Sequence, residues 1–301
     1  MRTQFIALAL AAAAFAAPAM AKPLNVFACE PEWAALATEI GGDKVSVYSA
    51  TTGAQDPHQV QARPSLIAKA RSADVAVCTG AELEIAWLPM IAQQSGNAKI
   101  ASGGAGLFET TTAVRLVEAP ARLDRAEGDV HAGGNPHIQT DPRMMIPVSK
   151  AMAAKFAALD PANASTYTTR QADFEKRWTT AVAGWTTKAA PLKGVQVAVQ
   201  HHSWPYLQAW LGMIEVTPLE PKPGVPPSSG YLAQVLQKLQ TQPVKMVIRA
   251  AYEDDRPSAF IAEKAKIPAV VLPFTIGGTD QAKDLFSLYD DTINRLLAGL
   301  K

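Results

Sequence analysis

Apolar residues along this chain fall into short runs separated by stretches of helical periodicity. Runs at 24–28, 44–49, 73–78 and 97–101, and then at 195–200, 213–217, 244–249 and 268–272, have the length and composition of buried strands. Helix signals lie between several of them. Pro31 opens a helix that Gly41-Gly42 closes, and Pro64-Ser65 opens another through Arg71. Ser228 and Ser229 precede a helix running to Gln242, where Pro243 ends it. Strands alternating with helices predict parallel sheets covered on both faces, an α/β fold.

A long helical stretch separates the two strand–helix sets. Residues 141–159 read as one helix, Asp160-Pro161 breaks the pattern, and a second helix follows from about 162 to 189. Phe174, Trp178, Val182 and Trp185 recur on one face of it, as core residues do. At the α-helical rise it would be roughly 40 Å long, enough to span a small domain and limit motion between two lobes. The expected divisions are an N-terminal α/β lobe at 22–160, a linking helix at 161–190 and a C-terminal α/β lobe at 191–301. The longest irregular stretch, 102–140, is rich in glycine, and loops of that length inside compact domains are usually functional. Five prolines make 218–227 a stiff loop.

The N-terminus changes how the rest is read. Arg2, the apolar run from Phe5 to Ala17 and the small-x-small site Ala19-Met20-Ala21 predict a signal peptide over 1–21, cleaved after Ala21. The run is too short for a membrane anchor, and no cysteine at the cleavage point suggests lipidation. The expected location is the periplasm. The chain is 48% hydrophobic with 28 basic against 27 acidic residues, which excludes a disordered chain and a polyanion-binding one. Removing the signal leaves 27 against 27.

Export also bears on the cysteines. Cys29 and Cys78 each end a strand-like run, so parallel neighbouring strands would bring both to one sheet edge. A disulfide is permitted in an oxidising compartment, and two buried free thiols are the alternative. A metal-binding pair is disfavoured by the long spacing and the lack of an adjacent histidine.

The chain has five histidines. His58 lies in Asp56-Pro57-His58 after the second strand, and His137 lies in Asn135-Pro136-His137 before a helix. His201 and His202 directly follow the strand at 195–200. Ligands in open α/β sheets bind at the carboxyl ends of strands, which puts His58 and His201 at the binding edge and leaves His137 able to join them. Neutral imidazoles suit zinc, with copper, nickel and cobalt as competitors.

These residues carry a resemblance. Asp56-Pro57-His58 with Arg63-Pro64-Ser65, Asn135-Pro136-His137-Ile138 with Thr140-Asp141-Pro142, and His201-His202-Ser203-Trp204-Pro205-Tyr206 resemble the three ligand loops of the ZnuA/TroA-like metal-binding substrate-binding proteins of ABC transporters. The resemblance covers essentially the whole mature chain. It implies two α/β lobes joined by one rigid helix, with the metal held in the interlobe cleft. The His-to-Tyr206 spacing selects His201 rather than His202 as a ligand, and a histidine at this position is the zinc-type pattern. The family often adds an Asp from the loop after the last strand. Asp280 is the candidate here and Asp284 the reserve; capping of the helix near Gln281 by Asp280, or a water ligand, are the alternatives. His131 sits where zinc-type relatives carry a mobile His-rich loop. It could collect zinc or contact a metallochaperone, or simply be solvated. His202 could support the site from behind.

The expected function is capture of Zn(II) in the periplasm and delivery to an ABC permease by a monomeric receptor, not an enzyme. A manganese or other divalent-metal receptor of the same family is the alternative. A secreted zinc hydrolase would need an open metal position and a nearby Glu base, and no His-Glu-x-x-His pair is present. A receptor for an organic solute would use groups such as Trp204 and Tyr206.

Overall fold

The computed structural model describes residues 22–301 apart from 121 and 123. The expected signal peptide lies outside the described residues. No helix among the described residues is long and apolar enough to cross a membrane.

The first lobe is built on strands β1 (Leu24–Ala28), β2 (Val45–Ser49), β3 (Val75–Cys78) and β4 (Leu107–Glu109), all parallel and ordered β2-β1-β3-β4. Helices α1 (Pro31–Gly41), α2 (Pro64–Arg71) and α3 (Leu88–Ser95) connect them. β1 and β3 are almost wholly buried, which matches their unbroken apolar sequence. The expected strand at 97–101 does not form. Ile100 is buried, but the chain turns there: the Lys99 carbonyl accepts from the Gly106 N–H, and the edge strand forms later, at Leu107–Glu109. Three residues are too few to show periodicity.

Cys29 directly follows β1, Cys78 ends β3, and the two form a disulfide. The buried carboxylate of Glu84 lies beside it. Glu84 is anchored by the backbone N–H groups of Thr79 and Gly80, at 2.7 and 3.0 Å.

Helices α4 (Met145–Leu159) and α5 (Ala164–Lys188) follow. The aromatic stripe of α5 is core: Phe174, Trp178 and Trp185 are buried and meet Phe286 and Tyr289 of the C-terminal helix. The Trp178 indole donates to the Pro142 carbonyl at 2.7 Å, so α5 also fixes the turn entering α4.

The second lobe repeats the topology. Strands β5 (Gln196–Val199), β6 (Ile214–Pro218), β7 (Met246–Ala250) and β8 (Ala269–Leu272) are parallel and ordered β6-β5-β7-β8. Helices α6 (Pro205–Leu211), α7 (Ser229–Thr241) and α8 (Asp255–Ala265) connect them, and α9 (Leu285–Ala298) closes the chain against β8 and α5. One apolar core runs through both lobes, from Val26 and Trp33 to Trp204 and Tyr289. The lobes also meet at bare backbone. A Cβ on Gly53 would lie 2.2 Å from the Gly278 nitrogen, so glycine is required where these two loops cross the cleft.

Candidate metal centre

His58 stands in the loop between β2 and α2, and two local constraints set its ring. The Trp87 indole donates to the Pro57 carbonyl at 2.8 Å, holding the backbone. Asp56 Oδ1 accepts from the His58 N–H at 2.9 Å and from Nδ1 at 2.8 Å. A carboxylate only accepts, so Nδ1 carries the proton and Nε2 keeps its lone pair. That Nε2 is buried and has no partner. Burial pushes the Asp56 carboxyl up, but its bonds to the His58 ring and backbone bring it below its ordinary value.

His137 is presented by a turn tied to the second lobe. The Tyr206 hydroxyl donates to the Asn135 carbonyl at 2.8 Å, and the Tyr289 hydroxyl donates to the Gln139 carbonyl at 2.6 Å. Asn135 Oδ1 accepts from the His137 N–H at 3.1 Å. The ring is buried, with Nδ1 unpartnered. Burial and the neighbouring imidazoles push its pKa well below the usual value. The ring is therefore neutral, the form that binds metal.

His201 follows β5, and its Nδ1 donates to Glu220 Oε2 at 2.7 Å. The same oxygen accepts from the Gly224 N–H at 2.8 Å, which places the carboxylate. Here too Nδ1 carries the proton, and Nε2 keeps its lone pair.

The ligand atoms of His58, His137 and His201 all lie within 4.8 Å of one another. Their ring centroids are 5.4, 5.6 and 5.8 Å apart. Zinc–nitrogen bonds of about 2.0–2.1 Å in a tetrahedron would place imidazole centroids about 5.2 Å apart. The three rings thus stand close to ligating positions, and no carboxylate belongs to the group. Among the described residues the other such group is Cys29, Cys78 and Glu84, whose sulfurs are bonded to each other.

The remaining expected residues are placed differently. Asp280 is exposed and outside the cluster. Asp284, not Asp280, caps the last helix: its side chain accepts from the Ser287 N–H in a capping box. The side chain after β8 that meets the histidines is Phe274, 5.5 Å from the His137 ring and held at φ 63°. The Gly277-Gly278 pair meets Gly53 instead of opening a path for Asp280.

His202 is bound to Glu215 at 2.7 Å and Glu118 at 2.9 Å. These two bonds raise its pKa to about 10. His131 lies beside the cluster, its ring 5.6 Å from that of His58. Burial lowers its pKa to about 4. The partner roles of Asp56 and Glu220 and the position of Phe274 were not evident from sequence. Asp56 could have been found, because an Asp two residues before a histidine can bond both its N–H and its ring. Nothing local marks Glu220.

One mouth of the cleft is acidic. A cavity of about 280 Å³ reaches His58 and His201 and is lined by Asp56, Glu220, Glu253 and Asp254. Burial raises the Glu253 carboxyl to about 8, helped by the charges of Glu220 and Asp56.

The sequence matches the family described as "Zinc-uptake complex component A periplasmic" (ZnuA) over residues 26–299. A similar curated protein is the manganese ABC transporter substrate-binding lipoprotein PsaA of Streptococcus pneumoniae serotype 4, 21% identical over 285 residues, 92% of this chain and 89% of PsaA. Among solved structures, a crystal structure of ZnuA aligns with TM-score 0.77 and 19% identity over 93% of this chain and 100% of its own. A manganese-bound mutant of a periplasmic metal binding protein from candidatus liberibacter asiaticus aligns at TM-score 0.75 and 15% identity, over 92% of this chain and 100% of its own. These likenesses agree on the two-lobe fold, and with the match to nearly the full described length they establish that the chain belongs to the ZnuA family of metal-binding receptors, substrate-binding proteins that work with ABC transporter permeases.

Proposed function

We propose that this protein is the periplasmic Zn(II) receptor of an uptake system. His58, His137 and His201 hold the cargo, and the protein, exported by a signal peptide cleaved after Ala21, acts as a monomer that releases the ion to an ABC permease. The observation that carries this reading is the donor set: three imidazoles within 4.8 Å, with no carboxylate among them. Nitrogen-rich sites suit zinc, whereas manganese favours carboxylate and water oxygens. Two of the rings are held by carboxylates, which raises their basicity and fixes the nitrogen offered to the ion. The carboxylates of Asp56, Glu220 and Asp254 at the acidic mouth draw cations toward the site. The manganese reading has its support in PsaA, a manganese protein. A metallochaperone that loads the site would meet the loop bearing His131.

Calorimetric titration of chelator-stripped protein with zinc tests the proposal. One site per chain is expected, with tight binding lost in His58→Ala and in His137→Ala. Unchanged affinity in both variants would sink it.

A further inference from the structure

The three histidines leave one corner of a tetrahedron open, and the residues around that corner differ in what they offer. Phe274 presents only carbon, and Asp280 is exposed and outside the group. On the other side stands His131. Its centroid is 5.6 Å from that of His58 and 6.3 Å from that of His137. His131 too stands outside the group whose ligand atoms lie within 4.8 Å of one another. Against a tetrahedral spacing of about 5.2 Å, its ring is nearly in place beside His58 and about 1 Å back from His137, so it has to move to join them.

A second observation points to a ligand there. His131 Nδ1 is buried without a hydrogen-bond partner, and so are His58 Nε2 and His137 Nδ1. Buried polar atoms are nearly always satisfied, so unpaired ring nitrogens on three adjacent histidines mark a place where something else completes them.

The segment bearing His131 is built to adjust. Gly128 and Gly134 bracket it in conformations that favour glycine, at φ 92° and 117°. It is tied to both lobes: the Ala132 N–H donates to Glu82 Oε2 at 3.1 Å, and the Asp129 N–H donates to the Pro223 carbonyl at 2.9 Å. A cavity of about 390 Å³ lies between this segment and His137 and His201.

We propose that His131 is the fourth ligand of the bound ion, in place of a loop carboxylate. The inference rests on the metal-receptor reading. It makes the bound site a four-nitrogen tetrahedron without an exchangeable water, and metal binding draws the 128–134 segment inward.

Cobalt(II) is the probe, added to the full mature protein. The parent is expected to give an intense tetrahedral visible spectrum, with four nitrogen neighbours in X-ray absorption. His131→Ala should replace one nitrogen with oxygen. It should also weaken zinc binding by at least the roughly 10–100-fold that losing a ligand's hydrogen-bond partner costs. His131→Cys should restore four protein ligands and add a thiolate-to-cobalt charge-transfer band. An unchanged spectrum and affinity in His131→Ala, or no charge-transfer band in a folded His131→Cys that binds cobalt, would overturn the assignment. A His58→Ala control separates the two ideas. If it loses binding while His131→Ala does not, the receptor reading stands and the fourth-ligand assignment fails. If the parent binds neither metal, the receptor reading itself fails.

Discussion

The two lobes present imidazoles with the same device built in two ways. In the first lobe the carboxylate that orients the ring is local: Asp56 is two residues before His58 and bonds both its N–H and its Nδ1. In the second lobe it is distant: Glu220 reaches His201 from beyond β6, nineteen residues on, and is itself placed by the Gly224 N–H. The sheets beneath share one strand order, but the first is stapled at its carboxyl edge by Cys29–Cys78, while the second has a register shift between β5 and β6. A common topology thus fixes where each histidine emerges, and separate local chemistry fixes how its ring points.

The largest effects should come from the three clustered histidines. His201→Ala removes the second lobe's whole contribution to the three-histidine group. Zinc affinity measured by chelator competition should fall by several orders of magnitude, about as far as in His58→Ala. Retention of near-parental affinity in His201→Ala alone would mean that the first lobe binds metal unaided.

Removing the staple should act on one lobe. The double variant Cys29→Ser, Cys78→Ser opens a link of sequence separation 49. Denaturant unfolding should show a loss of about 2–4 kcal/mol. Hydrogen exchange should rise in β1 and β3 and leave β5 and β7 unchanged. Equal loosening of both sheets would contradict the picture of differently reinforced lobes.

The orienting carboxylates come next. Asp56→Asn and Glu220→Gln should each weaken zinc binding about 10–100-fold. Glu220→Gln should also raise exchange at Gly224, because one oxygen serves both partners. An effect in one variant only would show that the two lobes do not share the device.

The smallest effect is a pH slope at the contact between lobes. Glu32 of α1 accepts a hydrogen bond from Thr275, in the loop after β8. Burial lifts its carboxyl to about 7. The unfolded chain releases that proton near the ordinary Glu value of about 4.3. Between those values the folded state holds a proton that the unfolded state has lost, so this group's contribution to stability falls as pH rises, then levels off above about 7. Glu32→Gln removes the titration. Its stability relative to the parent should therefore rise between about pH 4.5 and 7 in urea titrations. A flat difference would mean that Glu32 is ionised in the folded protein.

Much of this was legible in the sequence because it is encoded locally. Apolar runs ending in Ala28 and Val199, the Pro-His dipeptides and the aromatic stripe from Phe174 to Trp185 each state their element within a few residues. What escaped depends on contacts between distant segments. Glu220 carries no local mark of its partner, and β4 is a three-residue edge strand defined by pairing with β3. The loop after β8 shows the limit most clearly. Its Asp280 and Asp284 look alike as sequence, yet one is exposed, the other caps α9, and an apolar neighbour, Phe274, faces the histidines.

A site of three imidazoles with no carboxylate among them should select zinc over manganese. This selectivity is tested most directly by dialysing metal-free protein against equal concentrations of zinc and manganese and measuring bound metal by mass spectrometry. One zinc per chain and almost no manganese is expected. Manganese retained in equal or greater amount would contradict it.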